Sequence, residues 1–212
     1  MHCVRRPEGR SATRVVPFHD LEMIDTLAGR MEKAWSGCPP RSPFAGLLTR
    51  TRTIMGTRER SGAMHMLLRG KRLTDLGAGE PSAMMRYAGF YGVGEYVAVD
   101  RAFSYRGMEA GPRARFINDD MLRHLYLSPD MSTNVCFNAI DELVLLSSDR
   151  ATETIYTELL LIQIARVLPP GGVAFGARSP FLAGLSELGL RRFETTDIGK
   201  IGSDIFLFQR PC

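Results

Sequence analysis

The chain has 212 residues, 44% of them hydrophobic and 24% charged, which suits one domain able to bury its own core without disulfides or a structural metal. No apolar run approaches the ~18 residues of a membrane span, and the opening MHCVRRPEGR lacks the apolar stretch of a signal peptide, so a cytoplasmic protein without membrane contact is expected. Cys3, Cys38, Cys136 and Cys212 match neither a zinc spacing nor a compact disulfide framework, and His2, His19, His65 and His124 form no ligand cluster; no metal site is expected.

The net charge of +4 conceals an asymmetry. Residues 1–72 carry 14 Lys and Arg against 6 Asp and Glu, whereas residues 73–212 carry 13 against 17. A basic front on an acidic body can contact phosphates or an acidic partner. Against this, 24 of the 27 cations are Arg, a uniform enrichment that codon bias also produces.

Residues 1–17 read as a basic tail broken by Pro7, Gly9 and Pro17. From Asp20 the apolar residues Leu21, Ile24, Ala28, Met31 and Trp35 recur at helical spacing, and Gly37 with the proline-rich 38–43 ends that helix. Phe44–Leu48 and Ala63–Leu68 read as short helical pieces, with an ambiguous Thr/Arg-rich stretch from Thr49 to Arg60 between them. At Arg72 the pattern changes. Short apolar strands are expected at the start of 72–81, over 95–99, 115–117, 134–140 and 173–177, and finally over 191–195 and 204–209. Helices are expected over 82–90 and 152–168, the latter with Ile155, Leu159, Ile162 and Ala165/Arg166 on one face and PPGG (169–172) as its stop. Strands alternating with helices predict a parallel α/β sheet.

The chemistry concentrates where strands end. Gly77 and Gly79 occupy a strand-to-helix turn in DLGAGEP, where the missing β-carbons let backbone approach a ligand. Asp100 ends the next strand, 25 residues after Asp75, where a carboxylate can accept from both hydroxyls of a ribose.

With TDLGAGEP (74–81), VAVD (97–100), INDDM (117–121) and ARVLPPGGVAFGA (165–177) in order, the chain resembles the class I S-adenosylmethionine-dependent methyltransferases over about 140 residues, from Arg72 onward. A nicotinamide dehydrogenase would instead show three glycines as G-x-G-x-x-G. The resemblance implies a Rossmann-like sheet of seven strands, mostly parallel, with helices on both faces and the last strand antiparallel. Residues 1–70 would then be a basic tail and a helical, substrate-selecting cap, and residues 71–212 the cofactor-binding core.

The resemblance also implies roles. Asp75 would help hold the amino acid end of the cofactor through the loop, and Gly77 and Gly79 would give backbone room. Asp100 would bind the ribose hydroxyls. Asp120 would accept from the adenine amine beside Met121, with Asp119 the rival, because a one-residue shift exchanges the two. Asn138 would lie near the sulfonium. Where many members carry a third glycine, this chain has Pro81, which suits the first turn of a helix.

Methyl transfer from a sulfonium is an in-line displacement that needs alignment more than proton transfer. Asp141, Glu142 and His124 are candidates for a general base where the acceptor must lose a proton. Asp141 and Glu142 equally suit a helix start. A small-molecule acceptor is the leading expectation, with S-adenosylhomocysteine as by-product. An RNA or protein substrate, met through the basic front, is the alternative. A non-catalytic accessory protein of the same fold, hinted at by Pro81, is the third reading.

Overall fold

The computed structural model describes residues 21–36, 64–101, 104–108, 112–137, 149–177, 183–192 and 205–212. Helix α1 spans Leu21–Ser36, followed by β1 (Arg72–Leu76), α2 (Ser82–Phe90), β2 (Glu95–Val99), β3 (Ala114–Ile117) and α3 (Met121–Leu127). Then come β4 (Asn134–Phe137), α4 (Arg150–Val167), β5 (Val173–Ala177), the single turn α5 (Gly184–Glu187), β6 (Arg191–Arg192) and β7 (Ile205–Gln209). The expected helices at 44–48 and the ends of the expected strands at 138–140 and 193–195 lie outside the described residues.

One seven-stranded sheet holds these strands in the order β3-β2-β1-β4-β5-β7-β6. Strands β1 to β5 pair in parallel, and β7 runs antiparallel to both β5 and β6. The Rossmann-like arrangement expected from the resemblance is therefore present, including the antiparallel last strand. Strand order reverses beside β1, which is flanked by β2 and β4; in open α/β sheets a ligand crevice forms at such a switch point, beyond the carboxyl ends of the strands.

Alternation along the strands builds two cores. Val97, Val99, Val135, Phe137 and Phe208 face one layer with α1, α3 and α4, while Tyr96, Ala98, Cys136, Phe175 and Leu207 face the other with α2. The buried Asn134 amide ties three strands together: its Nδ2 donates to the Arg72 carbonyl at 3.0 Å and its Oδ1 accepts from the Val173 amide at 2.8 Å. Burial makes each of these bonds costly to lose.

Helix α1 packs on the core through Ile24, Leu27, Ala28 and Met31, all buried. Leu21, expected on the same face, is exposed at the helix start, and the Trp35 side chain lies outside the described residues. Helix α4 corrects the sequence reading. Ile155 faces solvent, and the buried face is Thr152, Tyr156, Leu159, Leu160, Leu161, Gln163, Ile164 and Val167. The run LLLIQI is apolar nearly all round, so periodicity alone could not set its phase.

Candidate functional site

The loop after β1 is shaped by two left-handed glycines, Gly77 at φ +66° and Gly79 at φ +53°, a region other residues enter only at a cost. Its amides are used inside the protein. The Gly77 and Ala78 amides donate to the Val99 carbonyl at 2.9 and 3.2 Å, and the Gly79 amide donates to Asp100 Oδ2 at 2.8 Å. The glycines thus provide space and curvature, while the end of β2 takes the Gly77, Ala78 and Gly79 amides. Beyond the loop, Pro81 stands at the N-cap of α2, and the Glu80 carboxylate accepts from the Ser82 amide at 3.0 Å and from its hydroxyl. Glu80 so supplies the cap that proline lacks.

Asp75 is fully buried at the end of β1, and the Tyr96 hydroxyl donates to its Oδ2 at 2.7 Å. Tyr96 was not singled out from the sequence, although strand alternation puts it on the face of the sheet that Asp75 shares. Burial, then the neighbouring Asp75 carboxylate, raise the Tyr96 phenol well above its ordinary range, which keeps the hydroxyl a donor. Tyr105, also missed, stacks on Phe116 with ring centroids 5.2 Å apart. Burial, and after it the charges of Asp100 and Asp75, likewise push its phenol upward.

The two candidate acids after β3 do different things. Asp120 is the N-cap of α3: its Oδ1 accepts from the Leu122 and Arg123 amides at 2.9 and 3.1 Å, and the Tyr156 hydroxyl donates to the same carboxylate. Only 4% exposed, it is engaged in joining α3 to α4. Burial raises its pKa above the usual carboxylate range, and the amide and hydroxyl donors oppose that shift. Asp119 faces outward, accepting from the Asp120 amide at 2.8 Å and from Arg123 Nη1 at 2.9 Å. Of the two, the geometry suits the rival, Asp119, to meet a ligand, and makes Asp120 a cap. In sequence, two adjacent aspartates at a helix start fit either role equally. Met121, the first residue of α3, is buried.

A cavity of about 360 Å³ opens here, lined by Asp25, Ala28, Arg101, Asn118, Asp119, Asp120 and Arg123. It lies beyond the carboxyl ends of β2 and β3, with Asn118 Nδ2 donating to the Asp100 carbonyl at 3.3 Å along one side. Helix α1 forms another wall. Arg101 Nη2 meets Glu32 at 2.5 Å and Arg123 Nε meets Asp25 at 2.9 Å, tying α1 to the end of β2 and to α3. Asp25, Arg101 and Arg123 were not anticipated, because nothing in their spacing reports that α1 docks over these loops.

Among the catalytic candidates, His124 is half-buried one turn into α3 and does not line this cavity. Burial lowers its pKa, Asp119 opposes that shift and Arg72 adds to it, so the ring is biased toward the neutral form. Asn138, Asp141 and Glu142 lie outside the described residues.

No protein-family model and no curated protein matches the chain. Solved structures do. The chain is similar to the N-methyltransferase NodS from Bradyrhizobium japonicum WM9, at 11% identity and a TM-score of 0.51 over 73% of this chain and 96% of that one. It is similar to a SAM-dependent methyltransferase from Aquifex aeolicus at 14% identity and a TM-score of 0.49, over 80% of this chain and 98% of that one. Human N-acetylserotonin methyltransferase in complex with SAM matches at 14% identity and a TM-score of 0.48, over 89% of this chain and 66% of that one. At these identities the shared property is the fold, and that fold is the Rossmann-like class I methyltransferase fold.

Proposed function

We propose that the chain binds S-adenosylmethionine and transfers its methyl group to a nucleophilic oxygen, nitrogen or carbon of a small molecule. The observation that carries this reading is the placing of Asp100 and Asp119 at the ends of adjacent strands, beside a left-handed glycine loop. A carboxylate ending β2 suits ribose hydroxyls, and one ending β3 suits the amine of adenine. An ionised carboxylate has about four acceptor positions, and Asp119 uses two in the described contacts, one with the Asp120 amide and one with Arg123. The residues present therefore fit the nucleoside part of the cofactor.

When bound, S-adenosylmethionine supplies a methyl carbon already activated by its sulfonium. The work left to this chain is to bind, orient and exclude water. Gly77 and Gly79 leave room for the cofactor's amino acid end, with the hydrogen-bonded Asp75 and Tyr96 buried in the adjoining strands. Helix α1 walls the nucleoside end, which supports an enclosed cleft and a small acceptor chosen by residues 1–70. Asn138, Asp141 and Glu142, after β4, are assigned to the acceptor side, the two acids as candidate bases. His124, neutral by burial, is the other candidate base.

The alternative of an RNA or protein substrate rests on the excess of cations over acids in residues 1–72, 14 against 6. One experiment separates the readings. Labelled methyl from S-adenosylmethionine is followed into the metabolite, RNA and protein fractions of an extract, with S-adenosylhomocysteine binding measured alongside by calorimetry. Label in metabolites is the expected result. Label in RNA or protein would reassign the substrate, binding without label would favour the accessory-protein reading, and no binding would overturn the cofactor assignment.

A further inference from the structure

Arg123 stands at the centre of a three-residue chain. Its Nη1 donates to Asp119 Oδ2 at 2.9 Å, and its Nε donates to Asp25 Oδ1 at 2.9 Å. A guanidinium presents several donors in one rigid plane, so it can hold two carboxylates in fixed relation, which an ammonium on a flexible stem cannot. All three residues line the cavity beside Asp100. The remaining oxygen of Asp119 accepts from the Asp120 amide at 2.8 Å, so both oxygens of this carboxylate are oriented by described donors.

A second ion pair to α1 lies one strand away. Glu32 lies seven residues, about two helical turns, beyond Asp25 and so on the same side of α1, where it holds Arg101, the neighbour of Asp100. Thus α1 grips two arginines that each adjoin an acid proposed to meet the nucleoside. Helix α1 is anchored underneath by its buried Ile24, Leu27 and Met31, which gives the Asp25 carboxylate a defined position from which to hold Arg123.

We infer that Asp25 and Arg123 are positioning residues that set nucleobase selectivity, holding Asp119 so that it accepts from a 6-aminopurine and rejects a 6-oxopurine. This rests on the cofactor reading above. A 6-amino group offers Asp119 a donor. A 6-oxo group offers an acceptor, so the carboxylate gains no donor there and faces another oxygen. Hydrogen bonds to charged groups are strong enough for a discrimination of about 10- to 100-fold. Without Arg123 and Asp25 the Asp119 carboxylate can turn, and the preference falls.

The test compares calorimetric affinities for S-adenosylhomocysteine and S-inosylhomocysteine. The wild-type protein is expected to prefer the adenosyl compound by at least about 10-fold. Arg123→Met and Asp25→Asn should reduce that ratio several-fold, Arg123→Lys should restore part of it, and Asp119→Asn should remove most of it. Asp25→Asn changes one partly exposed side chain, so a folded variant is available even where Arg123→Met is not. A ratio unchanged in folded Arg123→Met and Asp25→Asn, or equal weakening of both compounds, would overturn the positioning role. A wild-type protein that binds both equally would overturn it as well while leaving the cofactor reading standing. Binding of neither compound would overturn both.

Discussion

The Asp100 carboxylate accepts a hydrogen bond from the Gly79 amide at 2.8 Å, so the end of β2 holds the loop that follows β1. One residue therefore has two tasks in the proposed site: it shapes the glycine turn, and it faces the ribose. Asp100→Ala removes both. S-adenosylhomocysteine should bind it about 10- to 100-fold more weakly, the range of one or two charged hydrogen bonds. Asp100→Asn keeps a neutral acceptor for Gly79 and should retain the fold while losing most of that affinity. Calorimetry that finds wild-type affinity in Asp100→Ala would remove the ribose assignment.

Gly79→Ala isolates the backbone. A β-carbon at this position meets no atom within 4 Å, but φ is +53°, so the cost is conformational and not steric. A loss of about 1–2 kcal/mol in unfolding free energy is expected. Urea denaturation measures it directly, and an unchanged midpoint would mean that the turn has another accessible conformation.

Asp119 and Asp120 should separate stability from binding. Asp120→Ala loses the α3 cap and the acceptor it gives the buried Tyr156 hydroxyl, for an expected cost of about 2–4 kcal/mol. Asp120→Asn, which can still cap, should lose much less. Asp119→Ala should leave stability within about 1 kcal/mol and weaken cofactor binding instead, since its partners are solvent-accessible. Denaturation and calorimetry on the same variants test the contrast, and the reverse pattern would return the nucleobase role to Asp120.

The pH dependence of folding should carry the mark of His124. Burial holds its folded-state value below the unfolded one, with Arg72 adding to the shift and Asp119 opposing it. Above about pH 6.5 both states are neutral and the group adds no slope. As the pH falls through that value, the unfolded chain takes up the proton first, and stability is lost until the folded ring also titrates. His124→Gln should flatten this part of the profile. Unfolding free energies between pH 5 and 8 provide the check, and an identical slope in the variant would exclude His124 as its source.

Much of the architecture was legible in the sequence because its signals are local. The strand periods, the PPGG stop and the glycine turn each act within a few residues, and their order implied the sheet. The ends of β1 and β2 therefore carry Asp75, Gly77, Gly79 and Asp100, beside the point where strand order reverses. Helix α4 was harder, because LLLIQI has no polar face to announce its phase; only packing against α1, α3 and the sheet chose the buried side.

What sequence determined by itself was thus the succession of elements and the acids at their ends. Tertiary structure decided which acid turns inward and what covers the crevice. Asp119 and Asp120 are adjacent and chemically identical, and they part ways because the α3 amides and the Tyr156 hydroxyl, 36 residues along the chain, capture one of them. Asp25 meets Arg123 across 98 residues, and Glu32 meets Arg101 across 69. Such pairs have no spacing rule: each depends on where the apolar face of α1 comes to rest, and that is settled by burial of the whole core.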